Sequence, residues 1–250
     1  MKITRKEFLR IAGLAAAGAT TGTAVSQLSH SEPRPSSGKR WGMVIDFQKC
    51  RQGEGCDDCL GACRDVHNIP DVPDPQRAVQ WVWKEPYEKV FPFQQTDYTR
   101  RAYAEHVLPI LCNHCAEPAC TRVCPTAATW KREDGIVMMD WHRCIGCRYC
   151  MAACPYGSRS FNFSDPRPYI RHLSAEFPTR SKGVVEKCNF CEERLAKGLG
   201  PACVETCRQK ALLFGDLNDE RSPVRQVLRT RYSIQRLPEL GTGPSVFYLV

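Results

Sequence analysis

Between Cys112 and Cys154 the chain sets eight cysteines at spacings that suit one inorganic chemistry. They read Cys112-Asn-His-Cys115, Cys120 and Cys124-Pro125, then Cys144-Ile-Gly-Cys147-Arg-Tyr-Cys150-Met-Ala-Ala-Cys154-Pro155. The second run is C-x2-C-x2-C-x3-C-P, a spacing that binds a [4Fe–4S] cluster. Three thiolates on one tight loop wrap a cubane from one side. The fourth, ahead of a proline, points away and ligates a neighbouring cluster where two are present. This pairs Cys144, Cys147 and Cys150 with Cys124, and Cys112, Cys115 and Cys120 with Cys154. Two clusters held by interleaved ligands lie close together and make a short electron path.

Two further quartets flank these. The first is Cys50, Cys56, Cys59 and Cys63; the last is Cys188-Asn-Phe-Cys191, Cys203 and Cys207. The same crossing pairs Cys50, Cys56 and Cys59 with Cys207, and Cys188, Cys191 and Cys203 with Cys63. Cys50 is the least regular ligand, because five residues, Arg51 to Gly55, separate it from Cys56 where two are usual. Gly53 and Gly55 let that longer loop fold back. The expected fold is α+β, with two bacterial-ferredoxin-like double-cluster modules and loop-rich insertions. The inner module (112–155) is inserted within the outer (41–111 plus 156–250), and the expected cofactors are four [4Fe–4S] clusters.

Composition offers rival uses for sixteen cysteines in 250 residues. In an exported chain they suit eight disulfides, and Cys-x2-Cys pairs also suit zinc. Disulfide frameworks have no reason to place three cysteines within seven residues and then repeat the arrangement. Structural zinc takes two pairs per ion, not a triplet with a remote fourth ligand. The hydrophobic fraction of 42% is that of a globular protein, but cysteine supplies an unusual share of it. Bound metal must then help hold the fold, and the metal-free chain should fold poorly.

The elements that position these loops are short. Trp41–Asp46 reads as a strand feeding the first quartet. Gln80–Lys84 reads as another, with Trp81 and Trp83 on one face, buried against a neighbour or offered to a partner. Gly135–Asp140 reads as a strand before Cys144, with Lys131–Gly135 as its turn. A helix through Glu193–Lys197, ended by Gly198 and Pro201, spans the gap between Cys191 and Cys203. The tail from Ala211 to Val250 is expected around the outer pair. Arg51, Arg64, Arg143, Arg148 and Arg208 adjoin ligands and either face a cluster or solvate the surface. His114, between two ligands, is expected beside a cluster or at the surface rather than on the metal, since the cysteine quartets are complete.

Residues 1–31 read as an export signal, with residues 32–40 as a flexible linker. Thr4-Arg5-Lys6-Glu7-Phe8-Leu9-Arg10 before a weakly apolar run is similar to a twin-arginine signal, with Lys6 in place of the second arginine. A route that moves folded proteins suits clusters assembled before export; an ordinary secretory signal or an amphipathic anchor is the alternative. No other stretch approaches the roughly 20 apolar residues of a spanning helix. The net charge of +8 comes with no nucleic-acid motif.

The quartets resemble those of the dimethyl sulfoxide reductase iron–sulfur subunit family. The resemblance rests on Cys112-x2-Cys115-x2-Pro118-x-Cys120-x3-Cys124-Pro125, on Lys187-Cys188-Asn-Phe-Cys191 leading to Gly200-Pro-Ala-Cys203-Val-Glu-Thr-Cys207, and on Glu239-Leu-Gly-Thr-Gly-Pro-Ser-Val-Phe-Tyr248. It covers roughly residues 41–250 and departs at Arg208, where many members have proline. It implies a non-catalytic electron-transfer subunit. The implied partners are an integral-membrane NrfD-like quinone-interacting subunit and a multihaem cytochrome or molybdopterin subunit, with the chain periplasmic and membrane-associated through them. Cys59-x3-Cys63 running into His67-Asn-Ile-Pro70, and Trp81-Val-Trp-Lys-Glu-Pro86, are most similar to the periplasmic subunits of the Dsr MKJOP type of sulfur-metabolism complex. Nitrite, polysulfide and tetrathionate reductase subunits are close competitors. The rival classes are a stand-alone metal enzyme with one open-site cluster and a purely structural metal protein.

Protein purified without oxygen should contain about sixteen iron and sixteen acid-labile sulfide per chain, four per cubane. About twelve would single out the Cys50 quartet. Zinc, or metal-free protein with intact disulfides, would refute the iron–sulfur reading.

Overall fold

The computed structural model describes residues 38–51, 55–98, 103 and 106–250, so the export segment and most of the linker lie outside the described residues. By internal contacts the chain divides after Ser36, and everything below concerns the second unit, Ser37–Val250. Its strands are β1 (Trp41–Asp46), β2 (Val82–Pro86), β3 (Val107–Leu111), β4 (Thr129–Lys131), β5 (Val137–Met139), β6 (Ser160–Phe161), β7 (Val185–Glu186), β8 (Leu212–Asp216), β9 (Ser233–Ile234) and β10 (Val246–Leu249). Its helices are α1 (Phe47–Arg51), α2 (Asp58–His67), α3 (Tyr87–Val90), α4 (Ala119–Arg122), α5 (Tyr149–Ala152), α6 (Glu192–Leu195), α7 (Ala202–Glu205) and α8 (Pro223–Thr230).

Four strands from the two ends of the unit form the largest sheet, in the order β8-β1-β10-β9. Strand β1 runs parallel to β10, with Met43 opposite Val246, and antiparallel to β8, with Met43 opposite Phe214. Its alternation sends Met43 and Ile45 into the main core, while Val44 packs with Leu217, Val224 and Leu249 under α8. The tail from Ala211 onward therefore supplies three of the four strands, because β1 has apolar side chains on both faces and needs cover on each.

Three two-stranded sheets, β2-β3, β4-β5 and β6-β7, complete the β structure. Each delivers a cysteine loop. Strand β3 ends one residue before Cys112, β5 shortly before Cys144, and β7 two residues before Cys188, while β1 and α1 lead into Cys50. Short helices follow: α4 starts after Pro118 and carries Cys120, and α7 starts after Pro201 and carries Cys203. Proline at these entries fixes φ and lacks a donor that a first turn would leave idle.

The expected strand over Gln80–Lys84 lies two residues later, because the Gln80 N–H donates to Ser160 Oγ (2.9 Å) and is lost to the ladder. Trp81 and Trp83 are both buried, within a core of Phe47, Tyr87, Phe91, Phe190 and Tyr248. Burying side chains of this size contributes about 2–3 kcal/mol each. The hairpin β4-β5 turns at Gly135 with φ +84°, and α6 is followed by Gly198 at φ +74°, where the sequence places the breaks.

Gly146, inside the Cys144–Cys147 loop, combines φ +71° with a backbone neighbour, since a Cβ there would lie 2.4 Å from the Gly183 carbonyl oxygen. Gly146→Ala should lower stability by about 1–3 kcal/mol. Thermal unfolding of the loaded protein, with earlier loss of cluster absorbance, reads this out, and an unchanged midpoint would refute it.

Candidate metal centres

A loop of two residues between ligands must reverse sharply if both sulfurs are to face inward. The chain does this with left-handed backbone at the third position: His114 (φ 41°) in Cys112-Asn-His-Cys115, Gly146 in Cys144-Ile-Gly-Cys147, and Phe190 (φ 58°) in Cys188-Asn-Phe-Cys191. His114 and Phe190 hold matching positions in two loops, and their rings stack with centroids 3.7 Å apart. His114 is wholly buried, and its Nδ1 accepts the Val137 N–H at 3.0 Å. Burial, with Lys187 and Arg159 nearby, pushes its pKa well below the ordinary histidine value. It lies beside the sulfurs as a neutral ring.

None of the sixteen cysteines forms a disulfide, and they gather as follows. Cys50, Cys56, Cys59 and Cys207 line one cavity together with Asp58, Lys84 and Arg208. Cys63, Cys188, Cys191 and Cys203 are all buried, and Cys203 feels the charge of the other three. Cys115 likewise feels Cys112, Cys120 and Cys154. Cys124, Cys144, Cys150 and Cys120 share a small core with Ala128 and Val185. Cys147 is the one exposed cysteine. Neighbouring gatherings touch electrostatically in a line: Cys59 with Cys203, Cys188 with Cys112, and Cys120 with Cys150.

Burial pushes the Cys59 thiol up to about 12, with Cys50 and Cys207 adding to the shift. Cys115 is likewise pushed up to about 12 by burial and then by Cys112. Cys188 and Cys203 rise well above the ordinary value by burial and then by Cys63. Cys124 differs: burial raises it, but N–H groups of Thr126, Ala128 and Thr129 and the Thr126 hydroxyl hold it below the ordinary value.

Of the ligand-adjacent arginines whose side chains are described, each has an outward partner. Arg64 faces Asp71, Arg143 faces Asp140, Arg208 bonds Asp58 at 2.6 Å, and exposed Arg148 lies over Phe161 and Phe163. Arg208 also lies against Cys56, and the other charges that reach sulfur come from residues the spacing does not single out. Arg159 donates through Nη2 to Cys120 Sγ at 3.0 Å and to Thr129 Oγ1 at 2.8 Å. Lys187, fully buried, donates to the Cys188 and Val137 carbonyls. His67 places Nδ1 3.7 Å from Cys63 Sγ and donates through Nε2 to Glu193 at 2.9 Å. Burial opposes charge on His67, but bonds to Cys191, Cys63 and Glu193 raise its pKa to about 12. Half-buried Lys84 sits on Asp57 and the Cys56 carbonyl.

The family of the 4Fe-4S dicluster domain matches residues 103–166 and 168–217. The chain is 38% identical, over 98% of its length and 97% of the relative's, to the Hdr-like menaquinol oxidoreductase iron–sulfur subunit 1 of Archaeoglobus fulgidus. It is 37% identical to the menaquinone reductase iron–sulfur cluster-binding subunit of Nitratidesulfovibrio vulgaris, over 84% of this chain and 88% of that one. It is 35% identical to a tetrathionate reductase subunit of Salmonella typhimurium, over 100% of this chain and 89% of that one. The chain belongs to the iron–sulfur subunit family of molybdopterin reductases and NrfC-like proteins. Like its relatives, this iron–sulfur subunit transfers electrons within an oxidoreductase complex and is not itself the catalytic chain.

The subunit carries four [4Fe–4S] clusters, built on ferredoxin-like dicluster domains. Its donor set fits them. Crowded thiols held above their ordinary pKa are an unfavourable arrangement alone, and iron that binds thiolate relieves both the burial and the mutual repulsion.

Around this set the subunit builds a wholly buried ion pair, Arg180 to Glu186 at 2.7 Å. Trp81 Nε1 donates to the same carboxylate at 3.0 Å, and Arg180 bonds the His67 and Asn68 carbonyls at the end of α2. The guanidinium also lies over Trp81, Trp141 and Phe177. Arg180→Met strands the Glu186 charge and should destabilise the loaded subunit by about 3–5 kcal/mol. Urea unfolding measures this, and a loss under about 1 kcal/mol would show that the pair is dispensable.

Proposed function

We propose that the iron–sulfur subunit relays single electrons between a membrane quinone-reactive subunit of NrfD-like type and a redox or haem subunit, through four clusters in a line. The ligand sets are the crossed quartets: Cys50, Cys56, Cys59 and Cys207; Cys63, Cys188, Cys191 and Cys203; Cys112, Cys115, Cys120 and Cys154; and Cys124, Cys144, Cys147 and Cys150. The observation that carries this reading is the linear succession of thiol gatherings, linked at Cys59–Cys203, Cys188–Cys112 and Cys120–Cys150. In this reading residues 112–155 are an inner ferredoxin-like module inserted into an outer one made of 41–111 and 156–250.

Bound cubanes supply one-electron chemistry at potentials that range over roughly −700 to +450 mV with charge, hydrogen bonding and exposure. The chain supplies spacing, insulation and charge. The Cys63, Cys188, Cys191 and Cys203 set is wholly buried, while Cys147 brings the last set to the surface, where a partner can approach.

Relatives named for menaquinol oxidoreductase and menaquinone reductase support a quinone-linked partner and fit the Dsr-type expectation. No helix among the described residues is long and apolar enough to cross a membrane, which fits association through partners. Export in folded form to the periplasm by a twin-arginine-like signal belongs to the same reading. A tetrathionate reductase subunit as relative favours a second one, service to a molybdopterin reductase.

Single Cys→Ser changes test the ligand sets by EPR during redox titration. Cys56, Cys203, Cys115 and Cys147 variants should each alter a different component. Two of them altering the same component would overturn the assignment. In membranes holding the complex, menaquinol should reduce the clusters only when the NrfD-like subunit is present; reduction without it would overturn the partner assignment.

A further inference from the structure

Charge around the four thiol sets is uneven. Beside the Cys50 set, Lys84 is paired with Asp57 at 2.7 Å, and exposed Arg208 with Asp58. Beside the Cys63 set, His67 is paired with Glu193. Beside the Cys144 set, Arg143 is paired with Asp140, and Arg148 is exposed to water. The set of Cys112, Cys115, Cys120 and Cys154 is different. It has two buried cations near it, and neither forms an ion pair with a carboxylate among the described residues.

Arg159, 5% exposed, reaches Cys120 Sγ at 3.0 Å and lies within the fields of Cys150 and Cys112. Lys187, 1% exposed, donates to the carbonyls of Cys188 and Val137 and lies in the fields of Cys112, Cys188 and Cys120. Arginine keeps its charge under any condition met here, so the Arg159 contribution needs no titration. The nearest carboxylate in sequence to Lys187, Glu186, is committed to Arg180.

We propose that the cluster held by Cys112, Cys115, Cys120 and Cys154 is the highest-potential station of the relay, and that Arg159 and Lys187 set it there. This rests on the ligand sets given above. Reduction adds one electron and breaks no bond, so the reduced state is more negative by one charge. Buried cations close to sulfur favour that state, weakly screened by solvent, and a hydrogen bond to a ligand sulfur acts in the same direction. Two such charges in the middle of a line make an electron sink between two outer stations. Electrons arriving from either end then collect there.

The experiment is EPR-monitored redox titration of the full loaded chain, unaltered and as Arg159→Met, Arg159→Lys, Lys187→Met and Arg143→Met. Arg159→Met and Lys187→Met should each reduce the equilibrium constant for reduction of the highest-potential component at least tenfold, which is 59 mV for a one-electron couple. Arg159→Lys, which keeps the charge, should restore most of it, and Arg143→Met, at an exposed paired site, should leave it unchanged. Unchanged potentials in Lys187→Met overturn the proposal, and this holds even if Arg159→Met loses iron. Cys115→Ser separates the two readings. If it alters a different component from Lys187→Met, the ligand set is wrong. If both alter the same component and that component is not the highest, the ligand set stands and the proposal fails.

Discussion

Crowded thiols are the constraint on which the rest of this structure depends. Seven of the sixteen cysteines lie among the buried or partly buried members of the main core, alongside Trp, Phe and Tyr side chains. Each thiolate placed in such a core costs desolvation and repels the next. The remedy is a metal that takes thiolate from several segments at once. Sequence-distant segments must then meet: Cys207 joins a loop more than a hundred residues earlier, and Cys63 joins one just as far ahead. The four-stranded sheet answers the same demand, since it unites β1 with three strands of the tail and closes the unit around the outer sulfurs. Local secondary structure is accordingly brief, with most helices a single turn long, because the loops are held at their ends by sulfur.

What can be read from the chain follows the same physics. Ligand spacing is a local property, so the quartets are legible, as are Trp41–Asp46 as a strand, the turn at Gly135 and the break at Gly198. The strand after Trp81 is displaced because a hydroxyl eighty residues away, on Ser160, captures the Gln80 amide. Complete quartets lead one to expect His114 off the metal, and its Nδ1 is taken by the Val137 amide, although nothing in its spacing announces the stack on Phe190. Arg159, Lys187 and His67 escape the spacing, since each acts on sulfur through tertiary contact. The one signal for them is positional: cationic or imidazole side chains shortly after Cys154-Pro and Cys63, and directly before Cys188.

The arginines next to ligands illustrate why adjacency misleads. Side chains between two ligands turn either way: His114 and Phe190 turn inward and are buried, whereas Arg148 lies over Phe161 and Phe163, and Arg143, just before Cys144, pairs with Asp140. Arg208, just past the last ligand, pairs with Asp58 while still lining the cavity of Cys50, Cys56, Cys59 and Cys207. Long side chains at such positions lie along the surface and keep their charge in water.

A charge that is to act on sulfur must then enter from a different segment and be buried on the way. That is what β6 and β7 do: Arg159 leads into β6, Lys187 follows β7, and the two strands pair with each other. One small sheet thus carries both cations toward the same four cysteines, while Glu186 on the same sheet is neutralised by Arg180 rather than by Lys187. Separation of labour follows from this geometry. The cysteine loops fix where iron can sit, and the insertion between Cys154 and Cys188 sets the electrostatics around it. Substitutions in the insertion can change potentials without touching the ligand spacing, so a family can keep one pattern of cysteines while serving partners of very different redox demand.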